Sequence, residues 1–467
     1  MAGSAHGRSA RLTIGVLALT GMIASLQFTL LMPALPLVPA ELGVPAEDAV
    51  WLVTITLLTG TLGTPVLTRL GDLYGRRRML LLSVGLLVVG SVVAASVPSF
   101  TAVLIGRALQ GTANAVIPLG IGLMAALLDR TRAVLGIALM SGTLGIGSAL
   151  GLVLSGVLTA AGGLPAIFWF SAVAGVVVGG LIAMTTRESP RGGPQRFDVL
   201  GTALLAVALT ALLLLISKGT SWGLTSAAGI VCAVVAVLGF AIWFPWEWRH
   251  PRPVVDVRAA LRAPVLQINI ASFFATFGMF ANHLLTMQEA LGPVETRMGL
   301  GLPEVVAGAV LAPSAVLMIL LAPAAARALS RFGGRATLCG GCAVMAAAFL
   351  FRAVAHGDVV LVVLGSGLVG AGIAFAFAAM PALITEASPA ADVAAANGVN
   401  SLVRALSGAV ASAAFAFALV SWPATADPDF LSDTGLTASL ITVAGFSAAA
   451  GALALVVPRR GAAGTRR

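Results

Sequence analysis

Charge in this chain is rationed by position. Between Arg11 and Glu41, Asp48 and Arg69, Arg78 and Arg107, Arg107 and Asp129, at least 20 residues pass without a charged side chain. The same holds between Lys218 and Glu247, Arg262 and Glu289, Asp358 and Glu386, and Asp433 and Arg459. Roughly 20 apolar residues span the ~30 Å hydrocarbon core of a bilayer as one helix. The interval from Arg132 to Arg187 holds 54 residues, enough for two helices joined at "AAGGLP". With 59% hydrophobic residues, the chain could not cover a soluble surface with polar groups. The intervals predict an all-α polytopic membrane protein with fourteen transmembrane helices.

Basic residues check that count. With a cytoplasmic N-terminus, 22 of the 27 lysines and arginines fall in cytoplasmic segments. Only Lys218, Arg297 and Arg352 fall on the opposite side, and Arg107 and Arg404 lie within spans. Such asymmetry is the positive-inside signal, and it explains a net charge of +9 without invoking nucleic acid. Both termini are expected in the cytoplasm. The first apolar run, near residues 12 to 35, is too long for a cleaved signal peptide. Cys232, Cys339 and Cys342 all lie in predicted spans, and "CGGC" at 339–342 reads as small-residue helix packing, with redox chemistry of the C-x-x-C spacing as the alternative.

Two polar connectors, "RESPRGGPQRFD" (187–198) and "EWRHPRPVVDVRAALRAP" (247–264), divide the spans into six, two and six. This sets an N-terminal six-helix bundle over 12–185, an extra pair over 199–245 and a C-terminal bundle over 264–457. The outer sixes share a register. Pro65, Arg69 and Gly75 recur as Pro323, Arg327 and Gly333 at an offset of 258, and Gly106 and Gly111 recur as Gly365 and Gly370 at 259. A duplicated unit is a feature of secondary transporters.

One stretch, "LTRLGDLYGRRRML" (67–80), concentrates five charges between two apolar runs. Its arginines serve orientation. That role does not explain Asp72, which can pair with arginine or accept from helix N-terminal amides. The stretch resembles the loop signature G-x-L-x-D-R-x-G-R-R of the major facilitator superfamily in Leu70, Asp72, Gly75, Arg76 and Arg77, with Thr68 and Leu73 departing from it. The resemblance implies a latch in which Asp72 and Arg76 stabilise the outward-facing state. Asp129 is a candidate partner for Arg76. "GRALQG" resembles the family's fourth-helix motif in Arg107, Gln110 and Gly111. An arginine about 9 Å into a span either faces the bundle interior or snorkels to the headgroups; Gln110 and Asn114 on a similar face favour the interior.

The six-two-six order, with "LQFTLLMPALP" at 26–36, is similar to the fourteen-span drug:proton antiporter branch. Two departures bear on coupling. The branch's first-helix aspartate is Gln27, which cannot carry a proton, and its fifth-helix proline is Leu152. Gly142, Gly147 and Gly151 keep the spacing for close helix packing. No acidic residue falls at a predicted midplane, leaving Glu289 and His283 as candidate proton carriers. A cavity near Arg107 and Arg404 and free of carboxylates favours neutral lipophilic or anionic compounds. Phe273, Phe274, Phe277 and Phe280, with Asn282 and Gln288, either form a substrate wall or pack the span.

Other classes fare poorly. The lone lysine, Lys218, has no phosphate-binding glycine loop, and "GSGLVG" at 365–370 lies inside an apolar run. No acid, base and nucleophile set clusters as an enzyme requires. The sequence therefore predicts a monomeric transporter of small molecules in the plasma (inner) membrane, without cofactor, metal or nucleic acid. Proton-coupled efflux is the leading expectation. An uncoupled facilitator or importer of the same fold is the alternative, and a non-transporting sensor is a remote one.

Overall fold

The computed structural model describes residues 2–49, 51–189, 197–222, 226–251, 253–389, 393–425, 427 and 430–457. They are almost wholly helical. In chain order the long helices are α1 (Ala2–Thr29), α2 (Trp51–Tyr74), α3 (Arg76–Ser96), α4 (Phe100–Gly111), α5 (Val116–Leu127) and α6 (Arg130–Thr185). Then come α7 (Val199–Trp222), α8 (Ala227–Arg249), α9 (Val265–Leu291), α10 (Glu304–Val354), α11 (Val359–Ala387), α12 (Val393–Ser421) and α13 (Asp433–Val456). Among the described residues, twelve stretches are long and apolar enough to cross a membrane, with α4 and α5 joined into one by a 3₁₀ turn at Thr112–Ala115.

Two of these helices are interrupted by glycine. In α6 the backbone leaves helical geometry at Gly162 and Gly163, the latter at φ 64°. The Glu41 carboxylate then accepts from Leu164 N at 3.2 Å, satisfying an amide that the break leaves open. In α10 the break is Gly333, at φ 80°. Gly75, at φ 113°, separates α2 from α3. Gly75 and Gly333 are the pair that the 258-residue offset superposes, so both copies turn their backbone at the same place, in a region L side chains avoid.

The chain divides into two compact units. The first comprises Met1–Val257 with Ala390–Ala405. Lipid tails are as apolar as leucine, so close backbone approach rather than hydrophobic burial holds such helices together. The first half of α6 follows this rule along α1. Gly147 lies on Met22 O and the Leu26 amide, and Gly151 on Leu26 O and Thr29 Oγ1, so a Cβ on either would collide. Helices α7 and α8 pack on each other, Gly239 against Ala208, and α7 also contacts α2.

The second unit comprises Arg258–Pro389 with Leu406–Arg467. Helices α10 and α11 meet through Gly341 and Gly372, each lying on the other's carbonyl oxygen. Gly278 of α9 seats Met345 and Phe349 of α10 beside Ser447 of α13. The repeat extends to these contacts. Gly111 lies on the Thr56 carbonyl in the first unit, and Gly370 lies on the Ser314 carbonyl in the second, with both partners displaced by the repeat offset. Cys339 and Cys342 are unpaired thiols on the face of α10 that Gly451 of α13 approaches.

Candidate functional site

In the first unit a polar network runs through five helices. Because Gly111 has no side chain, α4 sits against Thr56 and Thr59 of α2. This proximity lets Arg107, only 2% exposed, reach across. Its Nε donates to Leu52 O at 3.1 Å, and its Nη1 to Gln27 O at 3.2 Å and to Gln110 Oε1 at 2.9 Å. Gln110 Nε2 donates to Ser91 Oγ of α3 at 2.8 Å, and the Ser171 hydroxyl of α6 lies 2.9 Å from Gln27 Oε1. Thr56 Oγ1 closes the ring by donating to Arg107 O at 3.2 Å. Arg107 thus faces the interior, and every partner it has among the described residues is a neutral oxygen. A buried cation without a counter-charge costs several kcal/mol; charge-assisted bonds to backbone oxygens offset part of that. Gln27 stands inside this network and presents its backbone carbonyl to the arginine.

The second unit holds a different arrangement. Arg352 of α10 and Glu289 of α9 form an ion pair at 2.9 Å, with side chains 0% and 1% exposed. Arg352 Nη1 also donates to Asn282 Oδ1 at 2.7 Å, and Asn282 Nδ2 donates to Ser366 Oγ of α11 at 3.2 Å. Gly365 makes room, because its missing Cβ would overlap the Arg352 side-chain stem. The sequence placed Arg352 in an outer loop; it lies instead inside a helix that continues to Val354. An arginine close to a span end reads as loop when its partner lies 63 residues away in sequence.

The other expected residues of α9 separate. His283 is exposed and outside this network, unlike its buried neighbour Asn282. Gln288 Oε1 accepts from Leu431 N at 3.0 Å, tying down the segment that precedes α13. Phe277 is buried and meets Phe446 edge-on at 5.2 Å, while Phe274 lies 5.1 Å from the same ring. The Phe273 carbonyl accepts from Ser407 Oγ. Phe280 lies over Gly408. Four of these phenylalanine positions therefore make packing contacts within the unit. Arg404 is half-buried and within reach of Ser401 Oγ at 3.2 Å.

The turn between α2 and α3 brings together a third group. Arg76 is 5% exposed and clasps Asp72 Oδ1 through Nε at 3.1 Å and Nη2 at 2.9 Å, while Nη1 donates to Gly122 O of α5. Asp129, expected as a partner for Arg76, is not one. It caps α6 by accepting from Arg132 N at 3.0 Å and pairs with Arg132 Nε at 3.3 Å, in an exposed position. An aspartate directly ahead of a helix satisfies its free amides locally, and that local bond wins. The residue that sequence reasoning missed is Glu188. Its carboxylate accepts from Arg77 N at 2.9 Å and Arg78 N at 3.2 Å, so an anion sits on the N-terminus of α3. Gly75 is obligatory beneath it, because a Cβ there would strike that carboxylate. Arg77 Nη2 donates to Ala183 O, and Ser189 Oγ lies 3.4 Å from Arg76 N.

Comparison with known proteins settles the family. The sequence profile of the Major Facilitator Superfamily matches residues 17–412. The chain belongs to this superfamily. It is a multi-pass membrane transporter of small molecules and not an enzyme. Among its relatives, the multidrug resistance protein Stp of Mycobacterium tuberculosis (strain CDC 1551 / Oshkosh) is 28% identical over 405 residues, 85% of this chain and 73% of Stp. The tetracenomycin C resistance and export protein of Streptomyces glaucescens is 25% identical over 434 residues, 91% of this chain and 78% of that protein. The crystal structure of the human organic anion transporter MFSD10 (TETRAN) superposes with a TM-score of 0.68, covering 95% of this chain and 99% of its own, at 18% identity. That last likeness concerns the fold alone.

Proposed function

We propose that this facilitator exports drug-like or secondary-metabolite compounds by alternating access, driven by a proton gradient across the plasma membrane. The observation that carries the reading is the unequal charge of the two units: a buried Arg107 among neutral oxygens, and a buried Arg352 neutralised by Glu289. A cation without a carboxylate neighbour repels cations, so the cargo is neutral and lipophilic or anionic. Glu289 is the proton carrier in this reading, because its carboxylate is buried in the second unit beside the basic Arg352, while His283 is exposed. The relatives named for drug resistance and antibiotic export support the direction.

The same reading assigns fourteen spans in a six-two-six order, with both termini cytoplasmic. Breaks at Gly162–Gly163 and at Gly333 support it, since each divides one long helix into two membrane-length parts. The bundles run over 12–185 and 264–457, with the pair at 199–245 between them in sequence. This makes the chain a member of the fourteen-span drug:proton antiporter branch, working as a monomer. Asp72, Gly75, Arg76 and Arg77, with Glu188 now in the place first given to Asp129, form the cytoplasmic latch.

The test is transport in proteoliposomes under an imposed pH gradient, across a panel of neutral, anionic and cationic amphiphiles. Gradient-driven accumulation of neutral or anionic members is expected. Glu289→Gln should keep downhill flux and lose accumulation. A second reading, an uncoupled facilitator or importer, is favoured by Gln27, which occupies the buried first-helix position with a side chain that carries no proton. Flux that only ever follows the substrate gradient, in wild type as in Glu289→Gln, would establish that reading instead.

A further inference from the structure

A second group of buried carboxylates lies outside everything assigned above, where α7 begins and α8 ends. Asp198 is 5% exposed and Glu247 is 1% exposed. Asp198 Oδ2 and Glu247 Oε2 both lie against Gly201, where a Cβ would collide with each of them. Asp198 is well supplied with donors: Gly201 N at 2.8 Å on Oδ1, and Trp246 Nε1 at 3.1 Å on Oδ2. His250 Nδ1 lies 3.6 Å from the same Oδ2. Glu247 takes its donors from the connector, Val255 N on Oε1 with the neighbouring Val254 amide beside it. Its Oε2 is buried and has no hydrogen-bond partner among the described residues.

We propose that Glu247 Oε2 carries a proton and donates it to Asp198 Oδ2, so that the two carboxyl groups hold one negative charge between them. Which group is the acid follows from where the donors lie, since each Asp198 oxygen accepts an N–H and Glu247 Oε2 accepts none. Two ionised carboxylates side by side and out of water repel strongly, and a shared proton removes that repulsion. The ligand is a proton because the backbone of Gly201 fills the space beside the two oxygens, and no group of three metal-ligating side chains exists among the described residues. Of the other charges nearby, Arg249, Asp256 and Arg258 are exposed, and Arg69, on the helix that packs against α7, is half-buried. His250, with 27% of its side chain exposed, gives the site a route to solvent. The site ties the end of α8 to the connector at Val255, so losing the proton places two like charges where that tie is made.

The experiment is infrared spectroscopy of the full-length protein reconstituted in lipid at neutral pH. The carbonyl band of a protonated carboxylic acid is expected in wild type, retained in Glu289→Gln and lost in Glu247→Gln. A band that survives Glu247→Gln, or no such band in wild type, overturns the proposal. A second measurement does not depend on that variant folding. Because His250 stacks on Trp246 with ring centroids 5.7 Å apart, the measurement is made in a His250→Gln background: there the emission difference between chains with and without Trp246→Phe should follow a one-proton titration with pH, and a flat difference overturns the proposal equally.

Discussion

Truncating Glu289 to alanine removes one member of an ion pair whose side chains are both hidden from solvent. Arg352 is then left with Asn282 and a charge that nothing balances. Breaking one side of a buried pair costs about 3–5 kcal/mol, whereas replacing both members with apolar groups is close to neutral. Taking roughly 2–4 °C per kcal/mol for a unit of this size, Glu289→Ala should lower the melting temperature by about 6–20 °C. Glu289→Leu combined with Arg352→Met should restore most of that loss, because the stranded charge is gone. The protein supplies its own reporter. Cys342 is buried in α10, the helix that carries Arg352, so with the partly exposed Cys232 and Cys339 replaced by serine a thiol-reactive fluorophore in detergent reads the opening of that helix. If the double variant melts no higher than Glu289→Ala, or Glu289→Ala melts with wild type, the pair is not the buried contact described and the reasoning fails.

Three shorter tests address the other groups. Gly75→Ala meets both a φ of 113° and the Glu188 carboxylate, so it should cost at least ~1–2 kcal/mol and lower the melting temperature; an unchanged melt would mean the turn relaxes freely. Asp129→Ala removes a helix cap worth ~1 kcal/mol and leaves the Asp72–Arg76 pair whole, so transport rates should match wild type while Asp72→Asn lowers them. Gln27→Asp puts a titratable group in the Arg107 network, and transport by this variant should acquire a pH dependence that wild type lacks at that site. A superimposable pH–rate profile would show that position 27 does not communicate with transport.

Much of the architecture could be read from the spacing of charge, because a bilayer penalises charge severely enough to leave a pattern in one sequence. Interior arginines obey subtler rules. Arg107 was legible since Gln110 follows on the same helical face and the chain extends apolar on both sides. Arg352 was not, because a residue two positions from a helix end looks like a loop residue until Glu289 is seen opposite. Asp129 and Glu188 show the same limit in reverse. Both are acidic residues beside arginine-rich turns, and the sequence could not say which helix terminus each would cap. Asp129 took the nearest one, and Glu188 reached over 110 residues back to α3.

The two copies of the ancestral unit also disagree in an informative way. Gly106 in the first copy packs on Ala94, and its counterpart Gly365 packs on Arg352, which stands at the position of Ala94 displaced by the repeat. The hollow beside the glycine is thus an inherited vacancy, filled by a methyl group in one copy and by a long cationic side chain in the other. Duplication fixed where two backbones come close and left the tenant of each hollow free to change. A transporter built this way can acquire, lose or relocate an interior charge by substitution at a single residue, without redrawing a helix.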